Sequence, residues 1–273
     1  MELNGKVALV LGSIKGIGRE IGLSLAESGV RVVLTYNDWE EHLSEMQSLF
    51  DKFGSDAVIE KIDLLETDRI QGLMDRIRDR FGRLDILVNN IERGGWPIVH
   101  GPYQQPQWDL EMATTLRAKW WVFDGALPML KAAGDAAVIN ISSIAGLVGR
   151  SGPASYLFND GYAAANRGIS QLTETWARLG APQVRVNEIM LGIFETRHAD
   201  GTRGWNLLTE AQRRAVIDHI PLGRAGTAAE VAKAVRFVIA DAPYMTGSVI
   251  RLDGGYVLGG EKVAPMPAGV EGV

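Results

Sequence analysis

The stretch Val7-Ala-Leu-Val-Leu-Gly12-Ser-Ile-Lys15-Gly16-Ile17-Gly18-Arg-Glu-Ile21 decides the fold. Val7 to Leu11 form an apolar run of strand length. Gly12, Gly16 and Gly18 interrupt it and open a segment of helical period that reaches Ser28. Glycines at this spacing allow a tight turn, and they let backbone N–H groups and a helix N-terminus approach a pyrophosphate. Close helix-sheet packing without a ligand would use the same glycines.

Outward from this unit, strand-length apolar runs alternate with helical segments. The runs are Val7 to Leu11, Val30 to Tyr36, Ala57 to Ile62, Leu84 to Asn89, Ala136 to Ile141, Val184 to Ile189 and Ser248 to Leu252. Between them lie helical segments from Gly16 to Ser28, Trp39 to Phe53, Thr67 to Phe81, Trp108 to Ala133, Gly161 to Leu179 and Ala228 to Ala240. This alternation predicts an α/β fold: a Rossmann-type doubly wound parallel sheet of seven strands with helices on both faces, as one domain over residues 1–273. Residues 195–223 break the pattern and read as a lid over the carboxyl edge of the sheet, where such folds bind ligands. The tail, residues 256–273, is rich in Gly and Pro and is not expected to form a further helix.

Composition narrows the chemistry. The absence of cysteine removes disulfides, thiolate metal sites and thiol nucleophiles. His42, His100, His198 and His219 are scattered without ligand spacing, so no metal site is expected. A formal net charge of −5 without a basic stripe argues against nucleic-acid binding. No apolar run is long enough to span a bilayer and no signal peptide is apparent, so the reading is cytoplasmic. The run Arg76, Arg78, Arg80 and Arg83, interleaved with Asp75, Asp79 and Asp85, reads as a solvated helix face.

The glycine spacing resembles the Thr-Gly-x-x-x-Gly-x-Gly motif of the short-chain dehydrogenase/reductase family, with Leu11 in place of the usual Thr. Further matches follow in order: Asp63, Asn89-Asn90, Ile141-Ser-Ser143, Val186-Asn187, Gly192 with Thr196, Pro221-Leu-Gly-Arg224, Glu230-Val-Ala232, and Tyr244-Met-Thr-Gly247 through Asp253-Gly-Gly255. The resemblance spans Gly5 to Gly255. It implies cofactor contacts from Gly12, Lys15, Gly16, Ile17, Gly18, Asp38, Asp63, Asn90 and Thr196. The cofactor would be NAD or NADP: Lys15 leans toward NADP, and Asp38, just past the second strand, leaves NAD open.

The family chemistry is hydride transfer between nicotinamide and a carbonyl or alcohol carbon, with a tyrosine as proton donor, a lysine four residues later, a serine and a helix asparagine. Ser143 fits the serine. Tyr156 stands at the commonest distance from it, but Asp160 lies four residues beyond. Tyr162 opens a more family-like helix, and Asn166 then stands at the lysine position. Thr115 takes the place of the helix asparagine, Ile91-Glu92 replace Ala-Gly, and Leu191 replaces a proline. In sequence Arg167 is the cation nearest to position 166, though it points elsewhere on the helix.

These departures imply impaired chemistry and possible loss of the cofactor. The chain would then be a non-catalytic structural or regulatory subunit, paired with a competent homologue in a heteromeric hydroxy/ketone or hydroxyacyl-CoA dehydrogenase. An active atypical oxidoreductase and a dinucleotide-sensing module are the alternatives. Assembly as a dimer or tetramer would use helices 108–133 and 161–179. There, one of Trp120 and Trp121 is expected in the core and the other at a partner. Trp96, Tyr103 and Trp205 are expected at the pocket mouth.

Overall fold

A computed structural model describes residues 1–91, 104–195, 205–261, 263 and 265. Seven parallel strands form one sheet: β1 (Val7–Val10), β2 (Arg31–Tyr36), β3 (Ala57–Lys61), β4 (Ile86–Asn89), β5 (Ala136–Ser143), β6 (Val184–Leu191) and β7 (Val249–Leu252). Their order is β3-β2-β1-β4-β5-β6-β7, so the chain winds outward from β1 in one direction and from β4 in the other. The point where the direction reverses, between β1 and β4, is where folds of this kind bind ligands.

Helices cover both faces. On one face α1 (Gly16–Glu27) packs beside α9 (Ala228–Ala240), and α2 (Leu43–Phe50) lies near α1. On the other lie α3 (Thr67–Phe81), a long helix and α7 (Asp160–Gly180). The long helix consists of α4 (Gln105–Glu111), a π-helical stretch over Met112–Arg117, and α5 (Ala118–Ala133). It starts before the expected Trp108 because Gln104 and Gln107 form a capping box with proline in the first turn.

The segment from Trp39 also differs from expectation. Trp39 is left-handed, at φ 67°, so only a 3₁₀ turn follows it, and α2 begins at Leu43. Beyond β5 lie a one-turn helix, α6 (Ala145–Val148), and a 3₁₀ turn over Gly152–Tyr156. The described part of the expected lid carries a 3₁₀ turn over Trp205–Leu207 and a true helix, α8 (Glu210–Asp218), begun by a Thr209/Gln212 capping box. The tail is not devoid of helical structure, because Tyr256–Leu258 form a 3₁₀ turn fastened by Asp253, which accepts from the N–H groups of Gly255 and Val257.

Two apolar cores lie on opposite sides of the sheet, and a third cluster sits beyond the carboxyl ends of β5 and β6. That third cluster joins Ile144 and Tyr162 to Trp205, Leu208, Val216 and Tyr256. Trp205 is therefore buried in this cluster rather than standing at a pocket mouth.

The arginine-rich run is only partly a solvated face. Arg76 and Arg78 are exposed and paired with Glu60 and Asp75. Asp85, however, is fully buried at the amino end of the sheet. Its carboxylate accepts from the Val7 N–H at 2.9 Å and from both arms of Arg83 at 2.8 and 2.6 Å, and Lys6 lies 3.3 Å away. Burial pushes its pKa up, but these partners prevail and hold it below the usual carboxylate value.

Candidate active site

The turn between β1 and α1 leaves almost no room for side chains. A Cβ at Gly18 would overlap the Gly12 carbonyl oxygen and stand 2.5 Å from the Asn90 amide nitrogen. A Cβ at Gly12, where φ is +64°, would lie 2.9 Å from the Asn90 carbonyl oxygen. Asn90 closes the turn by donating from Nδ2 to the Gly12 carbonyl at 3.1 Å. Ser13 fastens it from below, its N–H to the Thr35 carbonyl at 2.8 Å and its Oγ to that of Val10 at 2.6 Å.

Lys15 at the N-cap of α1 is extended and contributes no side-chain cap to the first-turn N–H groups. The arrangement fits a pyrophosphate: small residues, converging N–H donors and the positive end of a helix dipole. Ile17 is the half-buried residue between Gly16 and Gly18 and packs against the α1-side core.

Beside this turn, at the end of β2, the Lys15 ammonium lies 3.2 Å from the centroid of the Trp39 ring, a cation–π contact. Asp38 precedes Trp39, so the two residues that bear on the choice of dinucleotide share one rim. Asp63, after β3, is half-buried and accepts the Leu65 N–H at 2.9 Å. Thr196 and Glu92 lie outside the described residues, as do Trp96, Tyr103, His100 and His198. Ile91 is half-buried, and its Cγ2 would lie 3.4 Å from a Cβ on Gly12.

Farther along the same edge, β5 ends in Ser142 and Ser143. The Ser143 Oγ accepts from the Ala145 N–H at 3.1 Å, which leaves its own O–H able to donate. Tyr162 is buried in the first turn of α7, placed by the Asn159 side chain, whose Oδ1 accepts the Tyr162 N–H at 2.7 Å. Tyr162 belongs to the same apolar cluster as Ile144 and Ala145, directly after Ser143. Tyr156 is half-buried and packs on the margin of that cluster.

Asn166 stands one turn below Tyr162 and is fully buried. Its amide nitrogen donates to the Tyr162 carbonyl at 3.0 Å, and its Oδ1 has no protein partner. Thr115, on the π-helical stretch, is equally buried and its Oγ1 is also without one. Arg167 is exposed and does not take the lysine's place.

Sequence reading missed two groups. Lys119 is the only buried lysine or arginine among the described residues, and its Nζ donates to the Ile141 carbonyl at 2.6 Å. Glu188 on β6 is also fully buried, and its Oε1 accepts from Ser142 and, at 3.1 Å, from Ser170 on α7. Burial pushes the Glu188 carboxyl above its ordinary pKa, against the opposing pull of these hydroxyls, Lys119 and Arg167. The signal was present in the sequence. Lys119 interrupts the buried face of α5, which otherwise carries Ala118, Val122, Phe123 and Ala126, and Glu188 interrupts a strand of buried residues.

The comparisons with known proteins agree with this architecture. A family model described as enoyl-(acyl carrier protein) reductase matches residues 12–257. The 3-oxoacyl-(acyl-carrier-protein) reductase FabG of Vibrio cholerae is 32% identical over 259 residues, covering 93% of this chain and 98% of its own. The protein of the same name from Thermotoga maritima is 29% identical, covering 94% and 100% respectively. A solved structure described as a short-chain alcohol dehydrogenase from Sinorhizobium meliloti superposes with a TM-score of 0.82 at 29% identity, covering 94% of this chain and 98% of that one. The chain belongs to the short-chain dehydrogenase/reductase family of oxidoreductases. Among the described residues no helix is long and apolar enough to cross a membrane, and no cluster of metal-ligating side chains occurs.

Proposed function

We propose that the chain is an NAD(P)-dependent oxidoreductase that interconverts a ketone and a secondary alcohol, with Ser143 and Tyr162 as its catalytic residues. The observation that carries this reading is the intact pairing of two features on one sheet edge. One is a glycine turn that excludes any Cβ at positions 12 and 18; the other is a serine and a tyrosine brought into a common buried cluster. Gly12, Gly16, Ile17 and Gly18 would hold the pyrophosphate, with Asn90 fixing the turn. Asp63 would meet the adenine, Thr196 the nicotinamide end, and Lys15 and Asp38 the adenosine ribose. When bound, the nicotinamide supplies a hydride to the carbonyl carbon or accepts one from the carbinol carbon.

The chain's own residues handle the oxygen. The Ser143 hydroxyl donates to it, and the Tyr162 phenol gives it a proton in reduction or takes one in oxidation. The apolar cluster of Trp205, Leu208 and Tyr256 excludes water from that exchange. Tyr162 is preferred to Tyr156 because Asn166, one turn on, lies buried on the same helical face.

Dinucleotide binding tests this reading first. NADH and NADPH titrated into the purified chain, followed by nicotinamide fluorescence, should saturate in the micromolar range. Gly18→Val should abolish saturation, because its side chain would fill the turn. A wild-type chain that binds neither dinucleotide would leave the proposed chemistry without a cofactor.

A second reading is favoured by Asn166 and by the outer surface of the long helix. A non-catalytic subunit would tolerate the neutral, partly unsatisfied Asn166 where the family pattern has a lysine. Trp120 and Trp121 do not divide between core and surface as expected: both are 40% exposed and touch edge to face at 4.6 Å. Together with Met112, Leu116 and Leu172 they line a groove of about 780 Å³ between the long helix and α7. Such a face suits assembly with a related chain, and co-purification of a stoichiometric homologue would support it.

A further inference from the structure

Tyr162 and Asn166 begin a buried polar seam that the family motif does not account for. Down α7 it runs through half-buried Ser170 to buried Thr173, and down the long helix through buried Glu111, Thr115 and Lys119, spaced four residues apart. The two stripes meet the polar side of the strands. Asn159, which caps Tyr162, donates to Glu111 at 3.4 Å; Ser170 reaches Glu188; Asn140 donates to Thr173 at 2.9 Å and accepts from Asn89 at 2.8 Å. Within the seam the positive charge nearest the strand end is Lys119, tied to Ile141 two residues before Ser143 and close enough to act on Glu188, the partner of Ser142.

A phenol with an ordinary pKa near ~10 exchanges protons poorly at neutrality unless a cation favours its ionised form. Residue 166 cannot supply that cation, and exposed Arg167 is screened by water. A buried ammonium acts over a longer range, because little solvent intervenes. We propose that Lys119 is a positioning residue of the oxidoreductase site, supplying from the long helix the buried positive charge that residue 166 lacks and so setting the protonation of Tyr162. This rests on the oxidoreductase reading for its purpose, but the charge effect on Tyr162 is measurable without turnover. The ionisable groups of the seam and of the cluster that hold Tyr162 are Glu111 on α4, Lys119 on α5, Tyr156, Tyr256, Glu188 on β6 and exposed Arg167 on α7.

Two variants separate charge from tethering. Lys119→Gln keeps a donor for the Ile141 carbonyl and loses the charge, whereas Lys119→Met loses both. The Tyr162 phenol is titrated by ultraviolet difference spectroscopy, with Tyr162→Phe subtracted in each background, and NADPH oxidation with a short 3-oxoacyl thioester is followed against pH. In both variants the Tyr162 midpoint should rise by about one pH unit or more, a tenfold change in the ionisation constant, with Lys119→Arg restoring the wild-type value. If Lys119→Met does not fold, Lys119→Gln alone decides. A Gln variant that titrates like the wild type overturns the proposal, even if its turnover falls. A wild type that turns over none of a panel of ketones while the phenol midpoint shifts in the variants leaves Lys119 as the site's charge and counts against the oxidoreductase reading instead.

Discussion

On one side of β5 and β6 Ala137, Ile139, Ile141, Ile189 and Leu191 pack in a core with α1 and α9 residues, and the polar side chains of that side are matched: Arg185 donates to the Val238, Ile239 and Ala242 carbonyls, and Asn187 bonds to the Met245 carbonyl and the Ser248 N–H. On the other side Ala136, Val138, Val184 and Val186 give way, toward the carboxyl edge, to Asn140, Ser142 and Glu188. Both sides are buried and belong to the same two strands, so strand propensity does not explain the difference. Burying a polar group costs about 1–3 kcal/mol when it is left unpaired, and the second side contains unpaired atoms on Thr115, Asn166 and Glu188. Buried polar groups of these strands can be matched, as Arg185 and Asn187 on the first side demonstrate. The second side keeps its unpaired atoms at a cost in stability, which is the expected signature of a working site rather than of a scaffold.

The largest expected effect comes from importing the polar character to the wrong side. Ile139→Asn should destabilise the fold by about 4 kcal/mol, combining lost apolar burial with an unsatisfied amide. Urea unfolding measures it, and a cost below about 1 kcal/mol would erase the contrast between the two sides.

The reverse exchange sharpens it. Lys119→Met combined with Glu188→Leu should leave stability within about 1 kcal/mol of the wild type or raise it, because buried charges are often replaceable by apolar residues of similar volume. Its pH dependence gives a finer signature. Glu188 has a raised pKa in the folded state, so the protonated form favours folding. Its contribution is fully present below the ordinary carboxylate value and is lost as pH rises through the raised one. Unfolding free energies measured from pH 4 upward should therefore lose that component in the double variant. An unchanged pH slope would show that Glu188 is not its source.

Much of this was legible in sequence. The β1 turn and the seven parallel strands follow from local periodicity and glycine spacing, which act over a few residues. Ser143 and Asn166 were marked instead by the family resemblance, as the positions of its serine and its lysine. Lys119 and Glu188 were not, because a helix residue and a strand residue remote in sequence become a charge pair only after α5 and β6 pack on β5. Trp120 and Trp121 misled for a related reason: adjacent helix positions diverge at Cβ, but indole side chains are long enough to reconverge in one groove. Asp85 read as one of several surface acids because it follows the alternating charges of α3, while its place at the sheet's amino end, between fully buried Leu84 and Ile86, buries it.

Turnover tests the account most directly. The purified chain is given NADPH or NADH and a panel of ketones, a short 3-oxoacyl thioester among them, alongside Tyr162→Phe, with dinucleotide binding verified for both proteins. The account predicts steady oxidation by the wild type and a loss of at least about a hundredfold in Tyr162→Phe, the scale of a missing general acid, with dinucleotide affinity unchanged. Equal rates in the two proteins would contradict the role given to Tyr162 and with it the reading of this edge of the sheet as an oxidoreductase site.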